Sequence, residues 1–275
     1  MTTLLRCLIA GWKFHDYGPM PITFARAKAW LSQLKSKRDR QMAGRLLNSV
    51  IYISERETKR ILLHQNQVLM DVLAKAGLSS KKLIYVSVDE AGSSSPVMLS
   101  ILRNGAGLEQ RGCKLLDSRD VLGIRDATSS LEEGAIVYVD DFVGSGDQLC
   151  TSRTSALQGV IGNFSEFLLV PCICEEGFKR LNALGVTVYA GHIHAKAERP
   201  LHEHSHVFDP PTKTRLIEIC KGIRPKFGLG YQNMATMVVL YRNAPNGIPA
   251  VLRGSDKCRP FMGLFPRYRD LPVKK

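Results

Sequence analysis

Residues 136–148 read IVYVDDFVGSGDQ: four β-favouring residues, two carboxylates, two more apolar residues and a Gly-Ser-Gly turn. Leu149–Ile161, which follows, has the pattern of a helix. A strand here delivers Asp140 and Asp141 toward its carboxyl end and opens a small-residue loop at a helix N-terminus. Loop amides and the positive end of a helix dipole suit an anion such as phosphate, and carboxylates suit sugar hydroxyls or a metal. The same pattern fits an ordinary βα turn of an α/β domain. Neighbouring strand side chains point to opposite faces, so both acids reach one crevice only where the backbone turns. Asp141 as a helix cap is the plainer alternative for that residue.

Upstream, Leu83–Val88 (LIYVSV) is a continuous apolar run of the kind buried on both faces of a sheet. It leads into Asp89, Glu90, Ala91, Gly92, Ser93, Ser94 and Ser95, with Pro96 where a first helical turn tolerates proline. A second strand–loop–helix unit thus precedes the first, and two such loops at one edge of a parallel sheet can face one ligand. Downstream, Phe164–Cys172 and Val186–Ala190 read as strands with a helix at Glu175–Leu184 between them. Four strands alternating with helices predict an α/β fold whose mainly parallel, twisted sheet is covered on both faces. Residues 103–134 form an irregular basic connection with a short strand at Cys113–Leu116, either a lid or a plain surface excursion.

The expected division is an N-terminal helical region over 1–80 and the α/β domain over 81–275. Within 1–21, Leu4, Leu5, Leu8 and Ile9 have helical spacing. Residues 22–78 show no strand pattern. Phe24, Ala27, Trp30, Leu31 and Leu34 keep one helical face apolar, and Leu46, Leu47, Val50 and Ile51 are expected to close the next helix. Ser54 and Glu57 have capping-box spacing ahead of a third. Beyond the sheet, Pro211–Lys221 reads as helix and Ala235–Tyr241 as strand, with Ile248–Leu252 returning antiparallel past the turn at Asn243–Gly247. Cys172-x-Cys174 and His192-x-His194 end successive strands. They read as a tetrahedral zinc set or, more simply, as strand-end residues with a histidine beside the crevice. His202, His204 and His206 read as exposed loop residues.

The chain has 275 residues, 44% of them hydrophobic, which suits a globular protein with a sizeable core. The formal net charge of +13 favours a polyanionic partner, or reflects solubility charge alone. Seven cysteines with no CxxC read as reduced thiols in a cytoplasmic protein. No apolar run is long enough to span a bilayer, and the N-terminus lacks the basic start and cleavage site of a signal peptide, so no membrane association is expected.

Val137–Gln148 resembles the phosphoribosyl-diphosphate motif of type I phosphoribosyltransferases, and the 83–95 unit resembles that family's diphosphate loop. The resemblance implies that Asp140 and Asp141 take ribose hydroxyls and a Mg²⁺. It implies that Val143, Gly144, Ser145, Gly146, Asp147 and Gln148 surround the phosphoribosyl or nucleotide phosphate, and that Asp89, Glu90, Ala91, Gly92, Ser93 and Ser94 lie by the diphosphate. Four features depart from the family pattern. Gly144 stands where a catalytic acid often begins the loop, and Gln148 where a Thr or Ser usually ends it. Asp147 puts a negative charge where phosphate would lie, and 89–95 holds no basic residue. More of the chain, Trp30–Ser54, Gly230–Leu252 and Leu264–Arg267, resembles phosphoribosyltransferase-like proteins of bacterial conflict systems, some of which accompany retrons. That branch implies an effector of anti-phage defence, partnered by a retron reverse transcriptase, its DNA–RNA product or a nucleic-acid-binding protein, with the oligomeric state open. Two functions follow: a transferase acting at the ribose anomeric carbon, or a catalytically inactive nucleotide-sensing or nucleic-acid-associated module. A base-salvage enzyme would need a base-binding hood, and none is recognisable.

Overall fold

The structure, a computed structural model, describes residues 2–88, 94–256 and 260–271. Its contacts form two compact units, Met1–Glu55 with His194–Lys275, and Arg56–Ile193. Elements are numbered along the chain.

The first unit joins the two ends of the sequence. It holds α1 (Thr3–Lys13), α2 (Phe24–Ser32), α3 (Lys37–Leu46) and β1 (Ile51–Ile53) from the N-terminal part, and α9 (Pro210–Ile223), β8 (Val238–Leu240) and α10 (Ala250–Arg253) from the C-terminal part. Thr2, Thr23, Ser36 and Asp209 cap the four longer helices with side-chain oxygens that accept from backbone N–H groups of the first turn. The apolar face read over 22–34 is the buried one. Trp30 is 2% exposed, and its Nε1 donates to the Val251 carbonyl at 2.8 Å. The Tyr17 hydroxyl donates to the Pro266 carbonyl at 2.7 Å and accepts from the Ala244 N–H at 3.1 Å. The Phe14 ring packs edge-on against Phe265.

Two local expectations are corrected here. Val50 and Ile51 do not extend a helix: Ile51–Ile53 pair in parallel with Val238–Leu240. Val-Ile-Tyr-Ile is a β-branched and aromatic run that prefers a pleated surface once a partner strand exists, and the partner comes from the far end of the chain. Ile248–Leu252 does not return as a strand. Pro249 has no N–H to give a ladder and sits as the N-cap of α10.

The second unit holds α4 (Glu55–Lys75) and then the sheet: β2 (Leu83–Ser87), α5 (Ser94–Ala106), β3 (Lys114–Asp117), α6 (Val121–Thr128), β4 (Glu133–Val139), β5 (Phe142–Val143), α7 (Asp147–Leu157), β6 (Asn163–Cys174), α8 (Glu175–Ala183) and β7 (Thr187–His194). The strand order is β3-β2-β4-β6-β5, with β7 also paired to β6. The β2–β3, β2–β4, β4–β6 and β5–β6 pairs are all parallel, so the mainly parallel α/β expectation holds.

Alternation along β2 and β4 covers both faces. Ile84, Val86, Ile136 and Tyr138 join Leu149, Ala156 and Leu181 of α7 and α8 in one core. On the opposite face the Tyr85 hydroxyl donates to Asn66 Oδ1 of α4 at 2.6 Å, and Gln65 of the same helix donates to the Val170 carbonyl at 2.9 Å. No helix among the described residues is long and apolar enough to cross a membrane.

Candidate functional site

Strand β4 does not simply end at the paired acids. Residues 133–139 pair with 163–169, and Phe142–Val143 pair with Cys172–Ile173 in the same register. β4 and β5 therefore run as one strand beside β6, interrupted only at Asp140–Asp141. The Asp140 N–H still donates to the Leu169 carbonyl at 3.2 Å across the interruption. Both acids are buried, at 6% and 9% exposure, and Asp140 Oδ1 accepts the Asp141 N–H at 2.9 Å. The break answers the objection from alternation: where the ladder lapses, adjacent side chains are no longer bound to opposite faces.

Val143 is buried and ends β5, and Gly144, Ser145 and Gly146 make the turn into α7. Gly146 caps that helix at φ +84°, the left-handed region that glycine enters without strain. Asp147 is the first residue of α7, and Gln148 after it is exposed. The Ser145 hydroxyl donates to Asp147 Oδ2 at 2.9 Å. The sequence raised the Asp147 charge as an obstacle to phosphate, and the structure supplies a counter-charge: the Arg180 guanidinium of α8 pairs with Asp147 and lies 3.5 Å from the Ser145 carbonyl. The close approach of α8 depends on Gly177, where an added Cβ would lie 2.5 Å from the Gly144 carbonyl oxygen.

Sequence reasoning did not find Arg180. The available signal was Gly177 three residues ahead of it, because positions i and i+3 share a helix face. A glycine that admits a loop and an arginine aimed at the same loop would then have read together.

The diphosphate-loop residues Asp89, Glu90, Ala91, Gly92 and Ser93 lie outside the described residues; Ser94 opens α5. The two ends of that loop are nonetheless tied to the acid site. Ser95, fully buried, accepts the Val88 N–H at 2.7 Å and donates to the Val139 carbonyl at 2.6 Å. Ser152 of α7 donates to the Val88 carbonyl at 2.6 Å. One hydroxyl thus joins the end of β2, the start of α5 and the residue before Asp140, which brings the two strand–loop–helix units to one edge of the sheet. Ser95→Ala orphans one buried donor and one buried acceptor, and should cost about 1–3 kcal/mol in urea unfolding.

Behind the loop, the Tyr138 hydroxyl donates to Glu166 at 2.9 Å, and Arg153 of α7 forks onto the same carboxylate at 2.8 and 2.6 Å. Burial first, and then the Glu166 charge, push the Tyr138 hydroxyl well above the usual tyrosine range, so it remains a donor. This triad fixes α7 to β4 and β6. A separate cleft of about 260 Å³ opens by Ser87, Pro96, Arg103, Asp117 and Asp120 at the ends of β2 and β3, and neither Asp140 nor Asp141 lines it.

The four residues Cys172, Cys174, His192 and His194 do not come together as one zinc set among the described residues. Cys172 and Cys174 are buried in β6 and join no group of three or more metal-ligating side chains among the described residues. His194 is not a crevice residue. It is fully buried in the first unit, where its Nε2 accepts the Met237 N–H at 3.1 Å and its Nδ1 lies 3.3 Å from Glu198. His204 and His206 are exposed and His202 partly so.

Residues 27–267 match the model of the PRTase-CE family. Among solved structures, the chain is similar to orotate phosphoribosyltransferase from Aeropyrum pernix, with 17% identity over 46% of this chain and 70% of that one and a TM-score of 0.29. It is also similar to the AQ2163 protein from Aquifex aeolicus, with 12% identity over 59% and 86% and a TM-score of 0.36. No curated protein matches. A single family model spans most of the chain, paired acids and C-terminal segments included: the chain belongs to the PRTase-CE family and is a phosphoribosyltransferase-like protein.

Proposed function

We propose that the 56–193 unit binds a phosphoribosyl group, as phosphoribosyl diphosphate or a nucleotide, and acts at the ribose anomeric carbon. The observation that carries this is the interruption of one parallel strand at two buried carboxylates, followed at once by a glycine-capped helix N-terminus. Asp140 and Asp141 then take the ribose hydroxyls, and the 144–148 amides face the 5′-phosphate. In the reaction the anomeric carbon loses diphosphate with its bonding electron pair and gains a bond to the acceptor nucleophile. The protein's part is to position the sugar and to compensate charge.

Mg²⁺ fits the donor set. Asp140 and Asp141 offer carboxylate oxygens alone, the hard donors this ion takes together with waters and substrate phosphates. They are the residues that would hold it, and when bound it would offset the charge of the diphosphate.

The Asp147 contacts favour a second reading. Its carboxylate already engages Ser145 and Arg180, as an internal anion would in a module that senses a nucleotide without turning it over. In either case the biological role we infer is that of an effector in anti-phage defence beside a retron reverse transcriptase or its DNA–RNA product. The support is the likeness of Trp30–Ser54, Gly230–Leu252 and Leu264–Arg267 to that branch, together with the basic balance of the chain.

Calorimetry of the full chain against phosphoribosyl diphosphate, ribose 5-phosphate and nucleotides tests the site. Phosphoribosyl diphosphate should bind with Mg²⁺ present and weaken when the ion is chelated. If every phosphoribosyl ligand fails to bind under both conditions, the reading is wrong.

A further inference from the structure

The first unit carries a cluster of arginines that the phosphoribosyl site does not use. Arg224 donates to Asp256 at 2.6 Å, and Arg253, only 5% exposed, forks onto Asp270 at 2.9 and 3.2 Å. Arg253, Arg267 and Arg269 then converge on one atom, Asn246 Oδ1. Arg253 Nη1 reaches it at 3.3 Å, Arg269 Nη2 at 3.1 Å, and Arg267 Nη1 closer still. Burial first, and next the neighbouring Arg253 charge, draw Arg224 below the ordinary arginine value.

An amide oxygen has two lone pairs and no charge. Three guanidinium groups exceed that capacity. The hub is held in place from below: the Asn246 carbonyl accepts the Tyr231 N–H at 3.0 Å, and the Gly247 carbonyl accepts the Thr236 N–H at 2.9 Å. Asn246 and Arg269 are exposed and Arg267 is partly so, which leaves the hub open to solvent.

We propose that this cluster is a phosphate-binding site, in which a phosphate group takes the place of Asn246 Oδ1 as the common acceptor of Arg253, Arg267 and Arg269. A phosphate has the oxygens and the negative charge that the amide lacks, and guanidinium forks match its geometry. Asp270 pre-orients Arg253, so little side-chain freedom is lost at that arm. The phosphate can belong to a nucleic-acid backbone or to a free phosphate ester. The exposed arms and the +13 charge of the chain suit the first.

The full chain is titrated with a short fluorescein-labelled single-stranded oligonucleotide, followed by anisotropy, and separately with inorganic phosphate, followed by calorimetry. The variants are Arg267→Gln with Arg269→Gln, and Asn246→Asp. The arginine variant should bind at least about tenfold more weakly, with a salt dependence shallower by roughly one unit for each lost phosphate contact. Asn246→Asp supplies the missing anion from within, so it should weaken binding while raising Tm. A purely structural hub would not link those two changes. Loss of oligonucleotide binding in both variants identifies a backbone site. Binding of inorganic phosphate alone, lost in the same variants, identifies a free phosphate ester. If the wild type binds neither probe, or if both variants bind as the wild type does, the proposal falls. Should the arginine variant not fold, an unchanged affinity in Asn246→Asp overturns it.

Discussion

Replacing Asp140 and Asp141 together by asparagine should weaken phosphoribosyl diphosphate binding by about 10²–10³-fold while leaving the protein folded and no less stable. The two parts of this expectation have different physical origins. A hydrogen bond between a sugar hydroxyl and a carboxylate contributes about 1.5–3 kcal/mol, and each ~1.4 kcal/mol is tenfold in affinity. Two such bonds, discounted for sharing one ribose, give the stated range. Stability behaves otherwise. The two acids are adjacent, 6% and 9% exposed, and set in a lapse of the ladder, so folding brings like charges together out of water. Asparagine keeps the shape and an oxygen that can accept the Asp141 backbone N–H, and it removes the repulsion. Tm should therefore hold or rise. Calorimetric titration and thermal unfolding of the same samples separate the cases. A lower Tm with unchanged affinity would show that the acids serve the fold and not a ligand.

How far the sequence foretells this site depends on where each contact comes from. β2 and β4 were legible because a strand buried on both faces must be apolar at nearly every position, and LIYVSV and IVYV are. The glycine cap was legible because a left-handed turn at a helix start leaves few choices of residue. The lapse in pairing at Asp140–Asp141 was not. It is defined by the register against 163–173, which no local pattern encodes. β1 was missed for the same reason: Val50–Ile53 has no partner within its own stretch, and its apolar spacing continues a helix equally well. α4 reads as one more amphipathic helix of the N-terminal run, yet it shares a compact unit with the sheet because Gln65 and Asn66 reach Val170 and Tyr85. Ser95 shows the limit most plainly. In sequence it is the last of three serines, and its importance lies in the two backbone groups it happens to meet.

The second large effect concerns Asp147, and its sign separates the two readings of the loop. In the structure Asp147 takes the Ser145 hydroxyl and the Arg180 guanidinium, both natural partners for a 5′-phosphate. If a phosphate competes with this carboxylate, Asp147→Asn should tighten phosphoribosyl diphosphate binding by roughly tenfold. One charge acting on a phosphate a few ångströms away in a partly screened site gives about 1–2 kcal/mol. Arg180→Gln should do the reverse, weakening binding by a similar factor, because it strips the loop of its cation and leaves the Asp147 charge facing the ligand. The double variant should return toward the wild type, since each change removes what made the other matter. Both single effects should shrink as ionic strength rises, because the pair is well exposed and salt screens it. The opposite sign for Asp147→Asn would carry a definite meaning. Weaker binding in that variant would make Asp147 a ligand-holding group rather than an internal rival. The negative charge that departs from the family pattern would then be part of how this site holds its phosphate, through a cation shared between carboxylate and ligand.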